Sequence, residues 1–117
     1  MDDEPMVRGI AAEMLDVLGF AVDTCANGHA ALACVECAER EGRRYDLVIL
    51  DLVVEGGMGG QEAVRVLKAR WPGLRALVST GQLLAPAALR PSDHGFDGSL
   101  PKPYTFEQLV EAVRTPM

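Results

Sequence analysis

The chain has 117 residues, 49% of them apolar, which suffices for one compact core, and we predict a single domain over residues 1–117. We find no apolar run that could cross a bilayer and no recognisable signal sequence, so we predict no membrane insertion and a cytoplasmic location. Its 11 basic and 17 acidic residues give a net charge of −6, which disfavours direct binding to nucleic acid.

The first predicted element is a helix that begins near Pro5 and ends before Gly19, because apolar residues recur there at helical spacing. Two adjacent carboxylates, Asp2 and Asp3, stand immediately before it, and Asp3 is a candidate N-cap. Seen alone, an acidic pair at a helix start is explained equally well by its favourable interaction with the helix dipole.

Residues 20–25, FAVDTC, are predicted to form a short strand, and Asn27 and Gly28 precede a second amphipathic helix. The strongest strand is YDLVILDL, residues 45–52, whose aliphatic run from 47 to 50 is typical of a parallel strand covered on both faces. It ends at Asp51, an acid that is hard to explain as a surface residue directly after four buried aliphatic side chains.

The glycine-rich stretch GGMGG, residues 56–60, lacks the Lys-Ser/Thr of a P-loop and is interpreted as a flexible loop. A helix follows from about Gln61 to Trp71, and RALVSTG forms the next buried strand with Thr80 at its end. Prolines make residues 82–95 irregular, before a brief strand near 98–100 and a last helix capped by Thr105.

Strands and helices alternate, which predicts an α/β fold with a parallel sheet, helices on both faces and a site at the carboxyl ends of the strands. Three carboxylates at that edge would repel each other unless a hard cation such as Mg²⁺ neutralised them. An ammonium and a hydroxyl suit a phosphoryl group, and a carboxylate can act as its nucleophile. The polar residues expected there are Asp2, Asp3, Asp51, Thr80 and Lys102.

In this order, DD, LDL, STG and KPY resemble the receiver domain of two-component response regulators over essentially the whole chain. The resemblance implies a flavodoxin-like, doubly wound parallel sheet with strand order 2-1-3-4-5. Such domains begin with a strand that leads into the acidic pair, so strand 1 is truncated here, and we expect the protein or its parent to extend upstream of Met1. The wider pattern, including GFDGSLPKPY, looks most like the receivers of hybrid sensor kinases.

The same resemblance assigns roles to the clustered polar residues. It implies that Asp51 is the phosphoacceptor, which takes its phosphoryl group from a phosphohistidine of a sensor histidine kinase or a histidine phosphotransfer protein. Thr80 and Lys102 would hold the transferred group, and the domain would catalyse its own phosphorylation and dephosphorylation. Lys102 would also precede a cis peptide bond to Pro103.

For Mg²⁺, the resemblance implies a ligand set formed by carboxylates and one carbonyl group. Asp3 and Asp51 would ligate the ion, Asp2 would act mostly through a water molecule, and the main-chain carbonyl of Val53 would complete the protein ligands.

Two departures from the receiver pattern leave alternatives open. Glu55 stands where a proline is common, and Ser99 replaces a switch aromatic, so a phosphorylation-independent interaction module on a degenerate receiver scaffold is the main alternative. A phosphohydrolase with a D-x-D motif is disfavoured because Val53 occupies the place of its second acid. We expect no output domain in the chain and signalling through protein contacts, with a homodimer left open.

Overall fold

The computed structural model describes residues 1–114, and among them it contains five α-helices, one 3₁₀ turn and three β-strands. The alternation predicted from the sequence is therefore present from residue 28 onward. In chain order the elements are α1 (Pro5–Val17), α2 (Gly28–Arg40), β1 (Leu47–Asp51), α3 (Gly60–Arg70), β2 (Arg75–Thr80), α4 (Pro86–Leu89), the 3₁₀ turn (Pro91–His94), β3 (Gly98–Pro101) and α5 (Phe106–Arg114).

The three strands form one parallel sheet in the order β1-β2-β3. Asp51 at the end of β1 is in register with Ser79, and Thr80 at the end of β2 is in register with Pro101. Because the three strands are parallel and end at nearly the same level, the residues at their carboxyl ends meet at one edge of the sheet.

The main hydrophobic core lies between one face of this sheet and helices α2, α3 and α4. Alternate residues of β2, Ala76 and Val78, point into it, while Leu77 is buried on the opposite face. The helices contribute Ala31, Val35, Ala63, Val64, Leu67 and Ala87 to this core. On the opposite side α5 contacts β3 and buries Leu109 completely. The sheet is thus covered by helices on both faces, as predicted.

The predicted strand FAVDTC is wrong, because residues 20–25 form no β-strand. A β-strand requires backbone hydrogen bonds to a neighbouring strand, and the sheet makes very few such bonds with residues 20–25. The carbonyl of Cys25 accepts the N–H of Asp2 at 3.0 Å, but residues 21–24 make no backbone hydrogen bond to the sheet within the described part of the chain. A local sequence pattern does not show whether a neighbouring strand is available to pair with a segment.

The predicted coverage of β1 on both faces is only partly correct. Leu50 is fully buried, whereas Leu47, Val48 and Ile49 are only partly buried. The reason is the open outer side of β1, where helix α1 stands but has no buried residue. No strand precedes α1 in the described residues.

The helix caps differ in how well the sequence predicted them. Thr105 Oγ1 accepts the N–H of Gln108 at 3.1 Å, which confirms the cap of α5. Asp3 is not the N-cap of α1; that position is Glu4, whose N–H donates to Asp2 Oδ1 at 3.0 Å.

Within residues 1–114 no helix combines the length and apolar character that a membrane crossing requires.

Candidate functional site

The centre of the site is Asp51, whose carboxylate lies at the carboxyl end of β1. The residue is only 6% exposed, and its N–H donates to the carbonyl of Met1 at 3.0 Å. An acid so deeply buried needs a compensating charge nearby. The ammonium of Lys102 supplies this charge.

Lys102 follows β3 and joins two acids of the site. Its Nζ lies 2.5 Å from Asp2 Oδ2 and 3.1 Å from Asp51 Oδ1. Its backbone is held as well, because its N–H donates to the carbonyl of Thr80 at 3.0 Å. The peptide bond between Lys102 and Pro103 is cis, as the resemblance implied.

Asp2, Asp3 and Asp51 form an acidic cluster in which one carboxylate oxygen from each lies within 4.8 Å of the others. Two backbone contacts hold the first two acids, since Asp2 N–H reaches the carbonyl of Cys25 and Asp3 Oδ2 accepts the N–H of Glu55 at 3.2 Å. Carboxylate oxygens at this spacing fit a hard divalent cation such as Mg²⁺, which prefers oxygen ligands.

The environment moves the pKa values of these groups in different directions. Burial raises the pKa of Asp51 above its ordinary value, although the Lys102 ammonium opposes this effect. The hydrogen bond from Glu55 lowers the pKa of Asp3. Burial alone would lower the pKa of Lys102, but its hydrogen bonds to Asp2 and Asp51 outweigh burial and raise it. The site therefore favours a charged lysine beside an acid that is costly to ionise.

Thr80 lies at the same edge and is 5% exposed. Its Oγ1 accepts the N–H of Gln82 at 3.0 Å, which fixes the hydroxyl oxygen at the end of β2. Val53 lies in the loop after β1 and is 59% exposed as a residue. The role of its main-chain carbonyl in a metal site remains a prediction. The structure thus brings together the five polar residues that the sequence placed at this edge.

Gly60 is a supporting residue whose role the sequence did not reveal. It begins α3, and a Cβ atom built on it would lie 2.7 Å from the carbonyl oxygen of Asp51. The neighbouring Gly59 is similarly close to the carbonyl of Leu52, at 2.6 Å. Part of GGMGG is therefore a close backbone contact rather than a free loop. In the sequence, the run of glycines was the signal available for this contact. Such a run is equally typical of a flexible loop and of a close backbone contact, so it does not distinguish between them.

The family model for the response regulator receiver domain matches residues 1–114. Among curated relatives, the chain is 31% identical over 115 residues to the transcriptional regulatory protein TcrA of Mycobacterium tuberculosis. This alignment covers 97% of the chain but only 43% of TcrA, so the chain spans less than half the length of that relative.

Solved structures show the same fold. The response regulator TrrA of Thermotoga maritima, in complex with Mg²⁺ and BeF, has a TM-score of 0.77 and 28% identity, and the match covers 97% of this chain and 91% of TrrA. The receiver domain of a sensor histidine kinase from Pseudomonas aeruginosa, with a magnesium ion in its active site cleft, has a TM-score of 0.78 and 25% identity, with coverage of 97% and 90%.

These likenesses confirm the predicted flavodoxin-like α/β fold, although three strands are formed among the described residues. Regulators and a sensor kinase both occur among the similar proteins, so attachment to a hybrid kinase remains a prediction. The family match, the parallel sheet and the clustered acids beside a lysine agree with one another. The chain belongs to the response regulator receiver domain family.

Proposed function

We propose that this domain receives a phosphoryl group on Asp51 from a phosphohistidine and signals through protein contacts. A carboxylate oxygen of Asp51 attacks the phosphorus, and the new O–P bond forms while the P–N bond of the phosphohistidine breaks. The electron pair of that bond leaves with the imidazole nitrogen. The product is an aspartyl phosphate at the carboxyl end of β1.

The observation that carries this proposal is the pairing of Asp51 with Lys102 at 3.1 Å in a site where Asp51 is 6% exposed. A buried carboxylate beside a fixed ammonium can attack phosphorus while the ammonium balances the negative charge of the phosphoryl oxygens. The oxygen of Thr80 accepts a backbone N–H, so its O–H group is available to donate to the transferred group.

Asp2, Asp3 and Asp51 would hold Mg²⁺, together with the carbonyl of Val53. The bound ion would neutralise negative charge on the carboxylate and phosphoryl oxygens. The support for this assignment is the convergence of the three carboxylates within 4.8 Å. Two similar receivers have structures described with magnesium, which makes this ion the first to test.

The phosphodonor would be a sensor histidine kinase or a histidine phosphotransfer protein, because receivers of response regulators interact with sensor kinases. The acidic net charge of −6 supports protein partners over nucleic acid.

The test is phosphorylation by acetyl phosphate with Mg²⁺ present, read by intact mass and by the acid stability of the adduct. We expect an adduct with the lability of an acyl phosphate in the unaltered chain and none in Asp51→Asn. Asp93→Asn is the matched control, because Asp93 lies on the exposed 3₁₀ turn away from the sheet edge, and it should be phosphorylated normally.

An adduct that survives in Asp51→Asn would contradict the assignment of the phosphoacceptor. If neither acetyl phosphate nor a phosphorylated histidine donor labels the folded chain, the protein is a phosphorylation-independent interaction module on a receiver scaffold.

A further inference from the structure

Arg8, close to the amino end of α1, reaches back to the acidic cluster. Its Nη1 donates to the main-chain carbonyl of Asp2 at 2.8 Å, in partly buried surroundings. The Cα–Cβ bonds of a helix tilt toward its amino end, so an arginine in the first turns can reach a carbonyl six residues earlier. Within residues 1–114, no other side chain of α1 makes a hydrogen bond or an ion pair. The polar side-chain contact between this helix and the site therefore depends on Arg8.

The location of Arg8 is not explained by the helix itself. A cation near the amino end of a helix interacts unfavourably with the helix dipole, and the first turn of α1 contains no acidic residue that would offset this effect. Arg8 also forms no ion pair with a carboxylate in the described part of the chain. The guanidinium contacts the backbone of an acid instead, which indicates that it fixes the position of that acid rather than neutralising its charge.

Each polar group of Asp2 has a partner. Its N–H donates to the carbonyl of Cys25 at 3.0 Å, and its own carbonyl accepts from Arg8. Its Oδ1 accepts the N–H of Glu4 at 3.0 Å, and its Oδ2 lies 2.5 Å from Lys102 Nζ. A cation that binds the cluster competes for the two carboxylate oxygens but not for the two backbone groups. The backbone contacts can therefore hold Asp2, and with it the next acid in the chain, while a cation binds.

We propose that Arg8 is a positioning residue for the Mg²⁺ site and that it holds Asp2 and Asp3 in the arrangement that binds the ion. This inference rests on the proposed function, because it requires that the acidic cluster is a Mg²⁺ site. Arg8 would act through the main chain of Asp2 and would touch neither the ion nor the phosphoryl group. Since α1 has no buried residue, apolar packing does little to fix the turn that carries the two acids, and the Arg8 contact supplies that restraint.

A role through charge and a role through position predict opposite effects on Mg²⁺ affinity. If Arg8 acted only through its charge, it would repel the ion, and removing the charge would tighten Mg²⁺ binding. If Arg8 positions the acids, removing the guanidinium loosens the turn, and Mg²⁺ binding weakens despite the lost repulsion. The direction of the change in affinity therefore decides between the two roles.

The test is a Mg²⁺ titration without a phosphodonor, followed by the NMR shift of the Glu55 amide, which donates to Asp3 at 3.2 Å. We expect Arg8→Met to bind Mg²⁺ about threefold to tenfold more weakly than the unaltered chain. Arg8→Lys keeps a cationic donor for the same carbonyl and should recover most of this loss. Arg70→Met is the matched control, because it loses an equal charge and a 2.9 Å contact with Glu36 at the far end of α3. Its Mg²⁺ midpoint should not change.

A second readout separates positioning from catalysis. In phosphorylation by acetyl phosphate, Arg8→Met should raise the Mg²⁺ concentration that gives half the maximal rate. The rate at saturating Mg²⁺ should stay within about twofold of the rate of the unaltered chain, because Arg8 does not touch the reacting groups.

An unchanged or tighter Mg²⁺ midpoint in Arg8→Met would overturn the proposal, and so would a loss of maximal rate at an unchanged midpoint. Binding by Arg8→Lys that is as weak as that by Arg8→Met would assign the effect to general loosening of α1 and would also contradict it. If the unaltered chain shows no response to Mg²⁺, this proposal and the metal assignment fail together. If the variants bind Mg²⁺ in the expected order but no adduct forms on Asp51, only the proposed phosphorylation fails.

Discussion

The ammonium of Lys102 lies closer to Asp2, at 2.5 Å, than to the proposed phosphoacceptor, at 3.1 Å. One lysine therefore neutralises an acid that the metal site would also use. A cation that binds the acidic cluster must share or replace this lysine as the partner of Asp2. The balance between lysine and metal can be measured, because each stabilises the same folded carboxylates.

Replacing Lys102 with methionine should lower the free energy of unfolding by about 1–3 kcal/mol without Mg²⁺, because two buried carboxylates lose their cation. Added Mg²⁺ should restore much of this loss by ligating the same acids. Urea unfolding with and without the ion measures both effects.

Lys68→Met is the control for this comparison, since Lys68 forms an equally short pair with Asp97, at 2.5 Å, on another part of the surface. Added Mg²⁺ should not restore the stability that the Lys68→Met variant loses. A Mg²⁺ response of the same size in both variants, or one that persists when Asp3→Ala is added, would argue against the proposed ligands.

Asp51→Asn should be more stable than the unaltered chain at neutral pH, by something on the order of 1 kcal/mol. Burial raises the pKa of Asp51 in the folded state above its ordinary value of 3.8, so ionising this acid destabilises the fold as pH rises through its folded pKa. The difference between the two proteins should shrink as the pH falls toward 3.8 and below. Urea unfolding across this range checks the prediction, and a difference that grows on acidification would contradict the sign.

Gly60→Ala should cost about 1–3 kcal/mol, because the new methyl group would lie 2.7 Å from the carbonyl oxygen of Asp51 and 3.0 Å from Leu50 Cβ. Backbone at this position cannot move aside as a flexible side chain could. Gly73→Ala is the matched control: nothing lies within 4 Å of its added Cβ, and its change should stay within about 0.5 kcal/mol. Equal stabilities for the two variants would show that the contact at residue 60 relaxes freely.

Tyr45 should titrate at unusually high pH. Its O–H donates to Asp23 Oδ2 at 2.5 Å, and this hydrogen bond raises the pKa of Tyr45 to about 12 from an ordinary 10.0. The stabilisation that it contributes is complete below pH 10 and is lost as pH rises through about 12. Absorbance of tyrosinate measures the titration, with Tyr45→Phe to separate it from Tyr104.

In Asp23→Asn the titration of Tyr45 should move back toward 10, because the carboxylate that holds the proton is gone. A midpoint unchanged by this substitution would assign the shift to another cause.

The sequence was informative wherever local pattern and chain topology decide the outcome. Asp51 and Thr80 could be placed at one edge because parallel strands end together, and Thr105 could be identified as a cap from its neighbours alone. The shorter distance of Lys102 Nζ to Asp2 than to Asp51 could not be predicted, because side-chain distances depend on three-dimensional packing. Residues 20–25 were predicted wrongly since their strand pattern is real but their partner is missing from the described sheet.

Helix α1 has no buried residue, whereas α2 and α3 have four each, so it should open by local unfolding at a lower free energy than either. Asp2 and Asp3 lead directly into this helix. Local unfolding of α1 should therefore also release Asp2 and Asp3 from their fixed positions in the acidic cluster. A ligand that fixes the cluster is therefore expected to slow the opening of this helix, which is 13 residues long.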